Sequence, residues 1–172
     1  MYVENGCSSA IVNKYIADIQ ANPSYLVQTG NIYILTKNSF NSYYGTQTAI
    51  GMTSGFAMLW ASDIRCDSYY DGVVAHELAH GMDGYYAFLK GRGRISARRE
   101  FTQLYNKYYK KILTDYAFDE GTDEFFAEAY AFYFGKYISK PSKELSGYRQ
   151  NYPGELKTLM EQTLKEMSQV NW

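Results

Sequence analysis

Apolar residues recur three and four positions apart over residues 8–20, where Ile11, Val12, Tyr15, Ile16 and Ile19 share one face. That spacing predicts an amphipathic first helix, with Ser8 or Ser9 as N-cap and Asn22-Pro23 as its stop. The period then changes. Tyr25 to Val27, Asn31 to Thr36, Ala49 to Thr53 and Phe56 to Ala61 alternate or run apolar and are rich in β-formers, with Ser54-Gly55 separating the last two. They predict a small twisted sheet, mostly antiparallel. Helical spacing returns from about Ser68 to Gly84, where Ser68 and Asp71 resemble a capping box and Gly81 and Gly84 permit close packing and then a stop. Ser96 to Leu113 places Phe101, Leu104, Tyr105, Tyr108 and Ile112 on one stripe, a second long helix. Beyond a loop over Thr114 to Gly121, Thr122 to about Tyr137 predicts a third helix, apolar enough to be buried on most sides. Lys140-Pro141-Ser142 breaks the pattern, and Pro153 opens a last helix with Leu156, Leu159, Met160, Leu164 and Met167 inward. The order of elements gives an α+β class: one domain over residues 1–172, sheet first, with a helix-rich C-terminal half.

Composition narrows the function classes. With 46% hydrophobic and 20% charged residues, 172 residues suffice for one buried core. A net charge of −1 gives no electrostatic case for nucleic acid or an anionic membrane. The basic run Lys90-Gly91-Arg92-Gly93-Arg94, with Arg98 and Arg99, reads as a solvated loop and helix start. No apolar run approaches the roughly twenty residues of a membrane span. The N-terminus carries no basic and apolar leader, so the chain is either cytosolic or has lost a secretion signal. The 19 tyrosines and two cysteines favour the second: Cys7 and Cys66 form one disulfide in an oxidising compartment, or remain two buried thiols.

The only two histidines lie four apart around a glutamate, in Val74-Ala75-His76-Glu77-Leu78-Ala79-His80. On a helix, residues four apart stack on one face, so both imidazoles can reach one metal ion at roughly 2.0–2.1 Å. Glu77 lies about 100° round from His76, placed to hold and deprotonate a metal-bound water without being a ligand. This H-E-x-x-H pattern predicts a zinc hydrolase.

A catalytic zinc needs a third protein ligand and an open fourth position. With no histidine left, that ligand is a carboxylate or, less favourably, a cysteine. In the extended pattern with a ligand six residues beyond the second His, a glycine belongs at position 83 and the ligand at 86; Asp83 and Tyr86 stand there instead. Asp83 is open to two uses, accepting a hydrogen bond from a ligand imidazole or capping the helix end. Glu124 and Glu128 are four apart on an otherwise apolar helix, in Asp123-Glu124-Phe125-Phe126-Ala127-Glu128-Ala129-Tyr130. Buried carboxylates ask for a cation. Glu124 as ligand, with Glu128 accepting from a ligand His, is the arrangement a glutamate-type zincin uses.

These two segments, His76-Glu77-Leu78-Ala79-His80-Gly81-Met82-Asp83 and Asp123 to Tyr130, resemble the catalytic domain of anthrax toxin lethal factor and the related secreted clostridial Pro-Pro endopeptidases. The resemblance implies a zincin-like, gluzincin fold, with zinc held by His76, His80 and Glu124 and with Glu77 as general base. It also implies a tyrosine seven residues before the ligand glutamate that supports the tetrahedral intermediate. That position is Ala117 in this chain, and a one-residue loop difference gives the role to Tyr116.

The expected activity is endopeptidase cleavage by zinc-activated water in a secreted monomer, and the resemblance implies proline near the scissile bond. A protein or peptide substrate would lie as an extended strand against the sheet edge, for which Gly55-Phe56-Ala57-Met58-Leu59-Trp60 is the candidate; Trp60 serves equally as core. The alternative is a zinc-binding toxin or adhesion module of the same fold without catalysis, which the intact Glu77 opposes.

Overall fold

The computed structural model describes residues 1–27, 30–46, 48–56, 59–134 and 152–170. A short strand β1 (Tyr2–Val3) leads into α1 (Ser9–Gln20) and the single turn α2 (Ser24–Val27). The N-terminal half continues through β2 (Asn31–Leu35), α3 (Lys37–Tyr44), β3 (Gly51–Phe56) and β4 (Leu59–Arg65). The strands lie side by side in the order β1-β2-β4-β3. β1 and β2 are parallel, as are β2 and β4, and β3 runs antiparallel to β4. The sheet is therefore mixed, not mostly antiparallel. The connections explain the difference: α1 returns the chain from β1 to a parallel β2, whereas α3 leads from β2 to an oppositely directed β3, and β4, running back against β3, comes to lie parallel to β2.

Two further expectations change. β4 is an internal strand and Trp60 is only 3% exposed, so the edge near the metal helix is β3; Ala57 and Met58 lie outside the described residues. Tyr25 to Val27 is helical, because Pro23 starts a turn in which the Val27 amide bonds the Pro23 carbonyl at 3.3 Å. The helix α3 had no strong sequence signal, since only Phe40 of it is buried; Thr36 caps it by accepting from the Ser39 amide.

The C-terminal half holds α4 (Val73–Lys90), α5 (Arg99–Tyr108), α6 (Tyr116–Asp119), α7 (Thr122–Tyr133) and α8 (Gly154–Ser168). α4 starts later than Ser68: its N-cap is Gly72, at φ 87°, a conformation that glycine adopts without strain. The proposed Ser68–Asp71 box does not form. The Ser68 carbonyl instead accepts the Tyr15 hydroxyl at 3.0 Å, and Asp71 accepts from Tyr69. α4 also passes through Gly84 and ends at Gly91. α5 is shorter than the expected 96–113, and any extension of α7 towards Tyr137, like the break at Lys140-Pro141-Ser142, lies outside the described residues.

α4 is the shared wall of two apolar clusters. Its Val73, Val74 and Leu78 pack with Val12, Tyr15 and Ile19 of α1 and with Ile32, Ile34, Trp60 and Ile64 of the sheet. Its Ala75, Ala79, Met82 and Tyr86 pack with Phe101, Phe118, Phe125, Phe126, Leu156 and Met160. The Trp60 indole fits between Gly30 and Gly81 so closely that a Cβ on either would lie 2.3 Å from the ring. The lead-in to α4 is fixed by a Cys7–Cys66 disulfide, which resolves the two readings of the cysteines, and by Tyr15, whose hydroxyl donates towards the Arg65 and Ser68 carbonyls and accepts from the Tyr70 amide. Among the described residues no helix is long and apolar enough to cross a membrane.

Candidate metal centre

The helical period does for His76 and His80 what the sequence requires. Their Nε2 atoms stand 3.1 Å apart on the face of α4 that looks neither to the sheet core nor to the helical core. α7 packs across that face and brings Glu124 in its first turn to them, with Oε2 3.0 Å from His76 Nε2 and Oε1 3.3 Å from His80 Nε2. The three ligand atoms lie within 4.8 Å of one another, close enough to hold a metal ion. Ligands at roughly 2.0–2.1 Å from a tetrahedral zinc are about 3.3–3.4 Å apart. The observed separations sit at or just inside that value. Glu124 Oε2 is buried and has no well-angled hydrogen-bond donor despite its nearness to His76, so an acceptor faces the imidazoles without the partner that burial demands. The donor set, two imidazoles and one carboxylate, fits zinc.

Electrostatics couple the three side chains. Burial alone would raise the Glu124 carboxyl, but the two imidazoles outweigh it and hold it well below the usual carboxylate range. Burial pulls the His76 imidazole down, while Glu124, then Glu77 and Glu128, more than compensate and raise it. Glu77 is 5% exposed, and burial raises its carboxyl against the pull of both histidines and Thr53.

Glu77 and Tyr116 line the same cleft of about 260 Å³ as His76, His80 and Glu124. Tyr116 opens α6, 51% exposed, its ring centroid 6.3 Å from that of His76; burial, then the charges of Glu124 and Glu77, push its hydroxyl above its ordinary value. Ala117, the position the resemblance pointed to by count, is fully buried in the helical core.

Two carboxylates differ from their expected uses. Glu128 is buried, and burial raises its carboxyl against the pull of the His76 charge and of hydrogen bonding from Thr114; its connection to His76 is one of charge. Asp83 neither meets an imidazole nor caps a helix end, because α4 continues past it. It accepts from the Ser96 amide at 3.1 Å and the Ser96 hydroxyl at 2.6 Å, tying down the loop after α4. Tyr86 is buried with its hydroxyl donating to Glu166, away from the histidines.

Sequence reasoning missed the sheet residues that reach the centre. Thr53 donates to Glu77 Oε2 at 2.6 Å, and Gly51, Met52 and Ser54 line the cleft beside it. No pattern within β3 marks these positions, since their contact depends on which strand forms the edge. Compared with known proteins, the chain matches no protein-family model and no curated sequence.

Proposed function

We propose that the chain is a zinc-dependent endopeptidase with a zincin-like, gluzincin architecture, secreted and acting as a monomer on protein or peptide substrates. The observation that carries this reading is the convergence, in one cleft, of three metal-ligand atoms within 4.8 Å of each other with a buried glutamate and a tyrosine hydroxyl. His76, His80 and Glu124 would hold the zinc ion, which would supply Lewis acidity and lower the pKa of a water towards about 7. Glu77 takes the proton of the attacking water and delivers it to the leaving amine; the burial that raises its carboxyl makes it a better acceptor of the water proton. Tyr116 stays protonated and donates to the developing oxyanion. The edge strand β3, whose Gly51 to Ser54 border the cleft, offers its backbone to an extended substrate strand. The Cys7–Cys66 disulfide supports an oxidising, extracellular setting.

The test is zinc stoichiometry together with mass-spectrometric profiling of random and proline-enriched peptide libraries, using the zinc-loaded protein, the chelated protein and Glu77→Ala. One zinc per chain, with cuts that disappear on chelation and in Glu77→Ala, is the expected result, and the cut sites report whether proline is preferred. Zinc binding without any cleavage would overturn the enzyme reading in favour of a non-catalytic metal-binding module. Absence of zinc binding would overturn both.

A further inference from the structure

We propose that Thr53 is a positioning residue for Glu77, anchoring one carboxylate oxygen to the sheet so that the other is presented to the cleft over Gly51; this rests on the endopeptidase reading. Thr53 lies in β3 directly opposite Ser62 of β4, and both side chains face α4. Thr53 Oγ1 is 2.6 Å from Glu77 Oε2, 2.9 Å from the Glu77 carbonyl and 2.9 Å from Ser62 Oγ. A threonine hydroxyl has one proton to give. The shortest of the three contacts, to a carboxylate, has the length of a charge-assisted bond and takes that proton. Ser62, 1% exposed, therefore donates its own proton to Thr53 Oγ1, which fixes the threonine hydroxyl in the direction of Glu77.

The second side of the clamp is steric. A Cβ on Gly51 would lie 2.5 Å from Glu77 Oε1 and 2.7 Å from Val73 Cγ2, so Oε1 rests against bare backbone where the cleft begins. A glutamate left free would spread over many rotamers, whereas a base that must meet first the attacking water and then the leaving amine works from one. The two hydroxyls and the missing side chain select that one. They act through Glu77 and carry out no chemistry themselves.

The experiment compares zinc-loaded wild type with Thr53→Val, which keeps the branched shape and strand preference but loses the donor, and with Thr53→Ser, which keeps the donor. Thr53→Val is expected to lower kcat by about ten- to a hundredfold with KM and zinc content unchanged. Thr53→Ser is expected to recover most of that loss. A Thr53→Val enzyme with wild-type kcat, or a Thr53→Ser enzyme as slow as Thr53→Val, would overturn the proposal. An independent readout is the carboxyl carbon resonance of Glu77 in metal-free protein labelled at glutamate Cδ and assigned by Glu77→Gln. It should move in Thr53→Val and stay in Thr53→Ser; a resonance unmoved in Thr53→Val counts against the anchor. If wild type cuts no peptide, the endopeptidase reading fails by itself and this resonance alone decides the role of Thr53.

Discussion

Gly81→Ala and Gly84→Ala are the same chemical change three residues apart on α4, and they should move stability in opposite directions. Both remove a helix-interior glycine, worth about 0.8–1.0 kcal/mol in favour of alanine. At Gly84 nothing lies within 4 Å of the added methyl, so that gain stands alone. At Gly81 the methyl would come within 2.3 Å of the Trp60 ring, and the ring cannot retreat because Gly30 holds its other side equally closely. Overpacking of this kind costs about 1–3 kcal/mol, and a ring clamped on both sides belongs at the upper end. The helix term is common to both variants, so the gap between them is the packing cost itself, about 3 kcal/mol. At about 2.1 cal/mol/K per residue, 172 residues give an unfolding entropy near 0.36 kcal/mol/K, so the two melting temperatures should differ by about 8 °C. Circular dichroism melts of wild type and both variants in chelator, which removes any stabilisation by bound metal, measure this directly. A Gly81→Ala protein that melts as high as Gly84→Ala would refute the packing argument.

Two other perturbations have definite signs. The Cys7–Cys66 bridge closes a separation of 59 residues, for which the chain-entropy relation gives about 4 kcal/mol; guanidinium unfolding of the Cys7→Ala/Cys66→Ala double variant should show a loss approaching that size. Arg98 holds the Glu166 carboxyl below its ordinary 4.5 by direct hydrogen bonds, outweighing burial. Because folding lowers this pKa, the contribution is complete above the unfolded value of 4.5 and is lost as pH falls through the folded one. The carboxylate is 42% exposed, so solvent screening limits the effect to about 0.5–1 kcal/mol, seen as a shallower acid limb for Glu166→Gln in melting temperature against pH.

What the sequence revealed of the site was whatever a single helix encodes. His76, Glu77 and His80 follow from the 3.6-residue period, and Glu124 from the cost of placing a carboxylate on the apolar face of α7. Pairing between elements was less legible. β2 and β4 carry the same alternation whether they run parallel or antiparallel, and what decides is the number of reversals between them, one through α3 into β3 and one from β3 to β4. Thr53 was hidden for that reason: it reaches Glu77 because β3 is folded back as the edge, a fact absent from residues 51–56 themselves. Asp83 shows the converse error. Its position three residues beyond His80 drew attention to the imidazole, while its partner, Ser96, stood across a loop that no periodicity describes.

The placement of α4 between two apolar clusters has a consequence for how the protein would trade its ion with the surroundings. In small zinc modules the ion is the scaffold, and its departure is an unfolding event. Here the two imidazoles are set by a helix anchored on one flank to the sheet and on the other to the aromatic half, so neither flank depends on the ion to stay packed. A metal-free chain would keep His76, His80 and Glu124 in register, and exchange of a bound ion would be governed by access through the cleft rather than by the opening of the fold. The slowest backbone amides to exchange with solvent deuterium should then be those of α4, with metal or without it.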